Sequence, residues 1–124
     1  MTARSPVDVH RLFAEALASN DINALADLYE PDAVLVPEPG HIIQGREHIR
    51  THLGNLLTLK PRLESETTAV VRAGDIAMLR SKWSLIGTSD DGTAVQLSGE
   101  STEIVRMQPD GAWKCVIDNP YSTG

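Results

Sequence analysis

Glu103 and Asp118 are carboxylates set in β-branched surroundings, Ser101-Thr102-Glu103-Ile104-Val105 and Cys115-Val116-Ile117-Asp118. Two carboxyls brought together in an apolar setting oppose each other's ionisation, so one stays protonated as an acid while the other acts as a base. The structural alternative has Asp118 anchoring the Asn119-Pro120 terminus and Glu103 reaching solvent at a sheet end. Trp83, among Leu79, Leu85 and Leu97, is suited either to wall a ligand pocket or to fill a core. Tyr29 adds a hydroxyl near a helix end. Glu38 and His41 pair a carboxylate with an imidazole in a proline-bounded loop, as a base dyad or as ordinary surface. His48 and His52 have the four-residue spacing of two metal ligands, but Ile49 stands where the zinc-protease pattern needs glutamate. Both histidines point away from the Leu53 and Leu56 stripe, which favours solvated side chains and no metal. Cys115 is the only cysteine, so neither an intrachain disulfide nor a thiolate zinc cluster can form, and an inert buried thiol is expected. No phosphate-cradling loop, nucleophile elbow or dinucleotide fingerprint is present, and no cofactor is expected.

These groups need elements to position them. Ser5-Pro6-Val7-Asp8 sets a capping hydroxyl before a proline and a carboxylate, and Val9, Leu12, Phe13, Ala16 and Leu17 then share one helical face up to Ser19-Asn20. Asp21 caps a second short helix carrying Leu25, Leu28 and Tyr29, closed by Pro31. Ala33 to Val36 reads as a short strand. The run Pro37-Glu38-Pro39-Gly40 reads as an irregular loop, because two prolines withhold ladder donors. A third helix is expected from about Gly45 to Leu59, with Ile49, Leu53, Leu56 and Leu57 on one side.

From Arg62 onward the period changes to two. Turn signals at Ala73-Gly74-Asp75, Ser89-Asp90-Asp91-Gly92 and Gln108-Pro109-Asp110-Gly111 divide the rest into four antiparallel strands, about Leu63 to Arg72, Ile76 to Gly87, Thr93 to Met107 and Ala112 to Asn119. This order predicts a single α+β domain over 1–124. A hairpin centred on Asp90 sets Arg80 opposite Glu100, Ser81 opposite Gly99 and Leu79 opposite Ser101. A four-residue loop at 108–111 sets Glu103 opposite Val116 and Ser101 opposite Asp118, leaving the two acids diagonal at about 7 to 8 Å. One face then carries Leu79, Ser81, Trp83, Ser101, Glu103, Val116 and Asp118. The other carries Met78, Arg80, Thr102, Ile104, Trp113, Cys115 and Ile117. Neither face looks solvated and three helices cover only one, so a homodimer through the outer sheet face is expected.

Charge excludes further classes. The 124 residues hold 11 Lys+Arg against 17 Asp+Glu, net −6, and such a chain lacks the basic footprint that nucleic acid requires. The longest apolar runs, such as Ala33 to Val36, are far short of the roughly 20 residues of a membrane helix, and Met1 to Phe13 holds no apolar leader. A cytoplasmic protein with no membrane partner is the expectation.

The stretches Asn20-Asp21-Ile22-Asn23-Ala24-Leu25 with Leu28-Tyr29, Val36-Pro37-Glu38-Pro39-Gly40 leading to Gln44-Gly45-Arg46-Glu47 with Ile49, and Pro109-Asp110-Gly111-Ala112-Trp113-Lys114 carry a resemblance. The whole chain resembles the nuclear transport factor 2-like superfamily, specifically its SnoaL-like and ketosteroid-isomerase-like small bacterial members. That resemblance implies a cone-shaped cystatin-like fold, with three N-terminal helices packed on a curved antiparallel sheet, a mouth that admits an apolar small molecule, and a dimer through the sheet. It implies a hydroxyl role for Tyr29 at the mouth, near Glu38 and His41. Carried over by residue, the isomerase base falls on Pro37 with Glu38 beside it, the pocket tyrosine falls on Phe13, and the protonated acid falls on Glu103. Phe13 donates no proton, so steroid isomerisation itself is not expected. Similarity to a kinase association domain implies a cavity arginine near Arg80, against the register that sets Arg80 outside, and a second basic position that here is Ile104.

Because one architecture hosts many activities, function rests on the pocket. The leading expectation is a protein that binds a small apolar or aromatic ligand, with any catalysis being cofactor-free isomerisation, cyclisation or dehydration. Asp118 and Glu103 would handle protons, with Trp83, Tyr29, Glu38, His41, Arg80 and Phe13 around the ligand. The alternatives are a non-catalytic ligand-binding or association module, favoured by the lost base and tyrosine, and an enzyme remnant that only dimerises.

Overall fold

The computed structural model describes residues 2–122. The first helix, α1, spans Asp8–Ala18, and its start differs from expectation. Ser5 supplies no capping side chain; Asp8 reaches back instead, its carboxylate accepting from the backbone N–H of Arg4 and Ser5. Those amides and the nearby charge of Arg11 hold the Asp8 carboxyl below the usual range. Helix α2, Ile22–Asp27, is capped as expected, with Asp21 accepting from the Ala24 N–H at 3.0 Å.

Tyr29 is not helical. It opens a strand, β1, that runs Tyr29–Glu38 through Pro31 and Pro37. Both prolines are tolerated because β1 pairs only intermittently: its parallel register with the last strand shifts between Tyr29 and Val34, and its pairing with β2, His41–Gln44, shifts between Leu35 and Glu38. The stretch 37–40 is therefore a hairpin end, where Gly40 takes φ 82°, a conformation natural to glycine. Helix α3, Arg46–Leu57, follows and buries Ile49, Leu53 and Leu57.

The remaining strands are the expected meander: β3 Arg62–Ala73, β4 Ile76–Thr88, β5 Ala94–Met107 and β6 Trp113–Asn119. The sheet has six strands in the order β2-β1-β6-β5-β4-β3, and two of them intervene between the second and third helices. All three helices lie in the first half of the chain. They cover the face that carries Leu79, Val105 and Tyr29, each with 1% exposure or less. Among the described residues no helix is long and apolar enough to cross a membrane.

Two register details correct the sequence reading. The β4–β5 hairpin is centred on Asp91, so Arg80 faces Thr102, Ser81 faces Ser101 and Leu79 faces Glu103. A slip of two residues preserves the faces. Between β5 and β6 there is a bulge at Val116: Ile104 pairs with Ile117 and Val105 with Cys115. The extra residue inverts the parity of β6. Trp113 and Cys115 consequently turn inward and are buried, whereas Ile117 is 41% exposed on the outer face.

Candidate active site

The helices and the concave sheet face line a cavity of about 170 Å³ that opens to solvent. Its walls are mainly aliphatic and aromatic, with Val9 and Phe13 from α1, Leu53 and Leu56 from α3, and Trp83, Leu85 and Leu97 from the sheet. On successive inner rungs of β4 and β5 stand Glu103, the pair Ser81 and Ser101, then Trp83 beside Gly99, then Leu85 beside Leu97. Alternation along a strand produces this ladder, since every second residue faces the cavity.

The polar end holds two hydrogen-bonded sets, Glu103 with His10 and Thr67, and Asp118 with Tyr29. Glu103 and Asp118 stand directly opposite each other on β5 and β6, not diagonally, because the bulge at Val116 moves the register. Glu103, 7% exposed, does not reach solvent; its Oε1 lies 2.5 Å from His10 Nε2, and His10 Nδ1 lies 2.7 Å from Thr67 Oγ1. With the carboxylate as acceptor, Nε2 carries the hydrogen. Asp118 accepts from the Tyr29 hydroxyl at 2.6 Å and does not cap the terminus. Burial, reinforced by the Glu103 charge, raises the Asp118 carboxyl to about 7, against smaller opposing effects of the Tyr29 hydrogen bond and His10. Burial also pushes the Tyr29 hydroxyl and the Cys115 thiol well above their ordinary values. Cys115 is buried at the cavity wall and gives its hydrogen to the Ile117 carbonyl.

The bulged β6 delivers Asp118 and the first residue of β1 delivers Tyr29, paired there with Cys115. Helix α1 carries His10 across to β3, which bulges between Thr67 and Ala69 as it presents Thr67. His10 escaped notice in the sequence because it falls beside the apolar stripe of α1 with no distinctive spacing.

Trp83 lines the cavity. Its Nε1–H donates to the Pro120 carbonyl at 2.7 Å and its ring meets Tyr121 edge-to-face at 5.3 Å. The segment after β6 thereby closes one side of the cavity. Gly99 permits this, since a Cβ there would lie 3.2 Å from Pro120 O, Trp83 and Tyr121 alike. Phe13 and Pro37 line the cavity, leaving the two positions implied by the isomerase resemblance without a donor or a carboxylate.

Other candidates lie elsewhere. Glu38 Oε1 and His41 Nδ1 lie 3.5 Å apart on the exposed β1–β2 turn, outside the lining. Arg80 lies on the outer face, between inward Leu79 and Ser81, and does not enter the cavity. His52 reverses the expectation of a solvated side chain: it lines the cavity, and burial followed by the charge of His41 lowers its pKa. His48 remains exposed, bonded to the Gln44 carbonyl. Among the described residues no group of three His, Cys, Asp or Glu is placed to hold a metal ion.

Comparison with known proteins agrees with this architecture. Residues 9–116 match the family model described as a SnoaL-like domain. No curated protein matches the chain. A conserved protein from Planctomyces limnophilus has a TM-score of 0.81 at 21% identity, over 91% of this chain and 89% of that one. A nuclear transport factor 2-like superfamily protein from Salmonella enterica has a TM-score of 0.79 at 17% identity, over 94% and 89%. A ketosteroid isomerase-like protein from Erwinia carotovora has a TM-score of 0.76 at 21% identity, over 91% and 89%. At such identities the likeness is one of fold.

Proposed function

The chain belongs to the SnoaL-like domain family, and from that starting point we propose that it is a cofactor-free acid–base catalyst acting on a small, largely apolar molecule. The observation that supports this most strongly is the facing pair of Glu103 and Asp118, each held by a different hydrogen-bond partner. A carboxyl raised to about 7 beside a carboxylate bonded to histidine provides an acid and a base in one site at neutral pH.

For a carbonyl substrate the steps balance without a further reagent. Glu103 takes the α-proton, and the C–H electron pair becomes the new carbon–carbon double bond. The carbonyl π electrons move to oxygen, which takes the proton of Asp118. With a β,γ double bond, the proton on Glu103 goes to the γ-carbon as the enol hydroxyl returns its proton to Asp118, which isomerises the substrate; with a β-hydroxyl, the proton on Glu103 leaves with it as water as the enol hydroxyl returns its proton to Asp118, which dehydrates the substrate. Tyr29 orients Asp118, and the His10 Nε2–H holds Glu103 in place.

The test is α-proton exchange of small ketones in D2O, followed by proton NMR. Asp118→Asn and Glu103→Gln should each slow exchange by about 10² to 10⁴. Equal rates in wild type and both variants would remove the assignment. A second reading, a ligand-binding or association module without turnover, is favoured by Phe13 and Pro37 at the two positions where the resemblance implies a hydroxyl and a base. Under it, ligand binds and no exchange occurs.

A further inference from the structure

Size restricts what the cavity accepts. An apolar cavity of about 150 Å³ takes one benzene ring, whereas sites for drug-sized ligands begin near 300 Å³. At about 170 Å³ this cavity takes one ring with a short substituent and excludes a fused multi-ring skeleton. Trp83 and Tyr121 set that limit on one side, locked edge-to-face and tied by the Trp83 hydrogen bond to Pro120.

Charge restricts it again. Among the described residues the lining includes no lysine and no arginine. Its carboxyls are Glu103 and Asp118; of its two imidazoles, His10 is already held by Glu103 at 2.5 Å, and burial lowers the pKa of His52 and so disfavours its cationic form. An anionic ligand would lose its hydration among apolar walls and meet negative charge with no free cation in return.

Polarity supplies the third restriction. Tyr29 occupies Oδ2 of Asp118, leaving the other carboxyl oxygen for a ligand. Ser81 and Ser101, 2.6 Å apart and buried, bond to each other, so one hydroxyl hydrogen has no partner within the pair. These groups occupy the rungs nearest Glu103, and the next rung is Trp83 beside Gly99.

We infer that the site takes an uncharged single-ring compound bearing one carbonyl or hydroxyl oxygen, with the oxygen toward Asp118 and the Ser81–Ser101 pair and the ring toward Trp83. This substrate class rests on the acid–base reading of the same cavity and narrows it.

Acetophenone and benzoate are nearly equal in size and differ in charge; 4-androstene-3,17-dione carries the same oxygen function on a fused four-ring skeleton. Titration of the full chain by calorimetry should show saturable binding of acetophenone, benzoate at least tenfold weaker, and no binding of the steroid. Tyr121→Ala should admit 2-acetylnaphthalene, which the wild type rejects. Benzoate binding as tightly as acetophenone, steroid binding, or failure of acetophenone to bind would each overturn the class. Unchanged rejection of 2-acetylnaphthalene by the variant would overturn the size limit assigned to Tyr121. Acetophenone that binds but shows no methyl exchange in D2O would leave the class standing and remove the acid–base reading.

Discussion

Asp118 stands directly across the β5–β6 ladder from Glu103, and its other neighbour is the Tyr29 hydroxyl at 2.6 Å. Burial and the Glu103 charge raise the Asp118 carboxyl from 3.8 to about 7. A raised carboxyl favours the protonated folded state, so its stabilising effect is complete below about pH 3.8, declines as pH rises, and is lost above about 7. Asp118→Asn removes this dependence while keeping an acceptor for Tyr29. Urea midpoints measured from pH 4 to 8 should fall more steeply for wild type than for the variant, by a few kcal/mol over the window. Parallel curves would place the carboxyl in its ordinary range. Turnover that needs protonated Asp118 should likewise decline as pH passes 7.

Tyr29→Phe deletes only the hydroxyl. The hydrogen bond it gives Asp118 opposes the upward shift, so its removal should carry the carboxyl higher and move the alkaline limit of turnover upward. Stability should fall by about 1 to 2 kcal/mol, the usual effect of an unpartnered buried acceptor. NMR titration of Asp118 checks the direction, and a downward shift would contradict the geometry.

The helices, the meander and the inward set Leu79, Ser81, Trp83, Ser101 and Glu103 were legible because a one-residue error in hairpin centre slips the pairing by two and so preserves the faces. β2 was not, since four residues, three of them exposed, leave no alternation to read. Tyr29 read as helical because its spacing from Leu25 and Leu28 fits a helix, but parallel pairing with Cys115 overrides local pattern. The bulge at Val116 has no sequence signature, and without it Cys115 and Trp113 fall on the wrong face. His10 meets Glu103 across 93 residues of chain, a contact that only tertiary packing creates.

His10 and Glu103 form a nearly buried pair, with side chains 12% and 9% exposed. His10→Leu should cost about 3 kcal/mol or more, because it leaves a carboxylate without its partner. Adding Glu103→Leu should recover much of that loss. A double-mutant cycle by urea unfolding should give a coupling above about 1 kcal/mol, and additive effects would mean that the pair contributes no stability of its own.

Gly99→Ala tests the wall after β6. The added methyl lies 3.2 Å from Pro120 O, Trp83 and Tyr121, so the segment must move outward by a few tenths of an ångström. The Trp83 to Pro120 hydrogen bond should lengthen, with a loss of about 1 to 3 kcal/mol typical of overpacking and a shift in tryptophan fluorescence. Unchanged fluorescence and stability would show that the wall yields freely.

Across the outer sheet face, Val34, Ile117, Ile104, Met78 and Val71 are register partners on five consecutive strands, forming one apolar row. Ile117 and Val71 are 41% and 57% exposed, and Ile76 and Ile86 expose further apolar area on the same face. A continuous row of this kind is a self-complementary surface, because a twofold axis through Ile104 would bring each residue against its equivalents. Sedimentation at micromolar concentration should give twice the chain mass. Ile104→Glu puts a charge at the centre of the row, where burial against a second copy would leave it unpaired, and should give a folded single chain. A wild-type mass of one chain would exclude the sheet-to-sheet dimer, and a dimer unaffected by the variant would move the interface to another face.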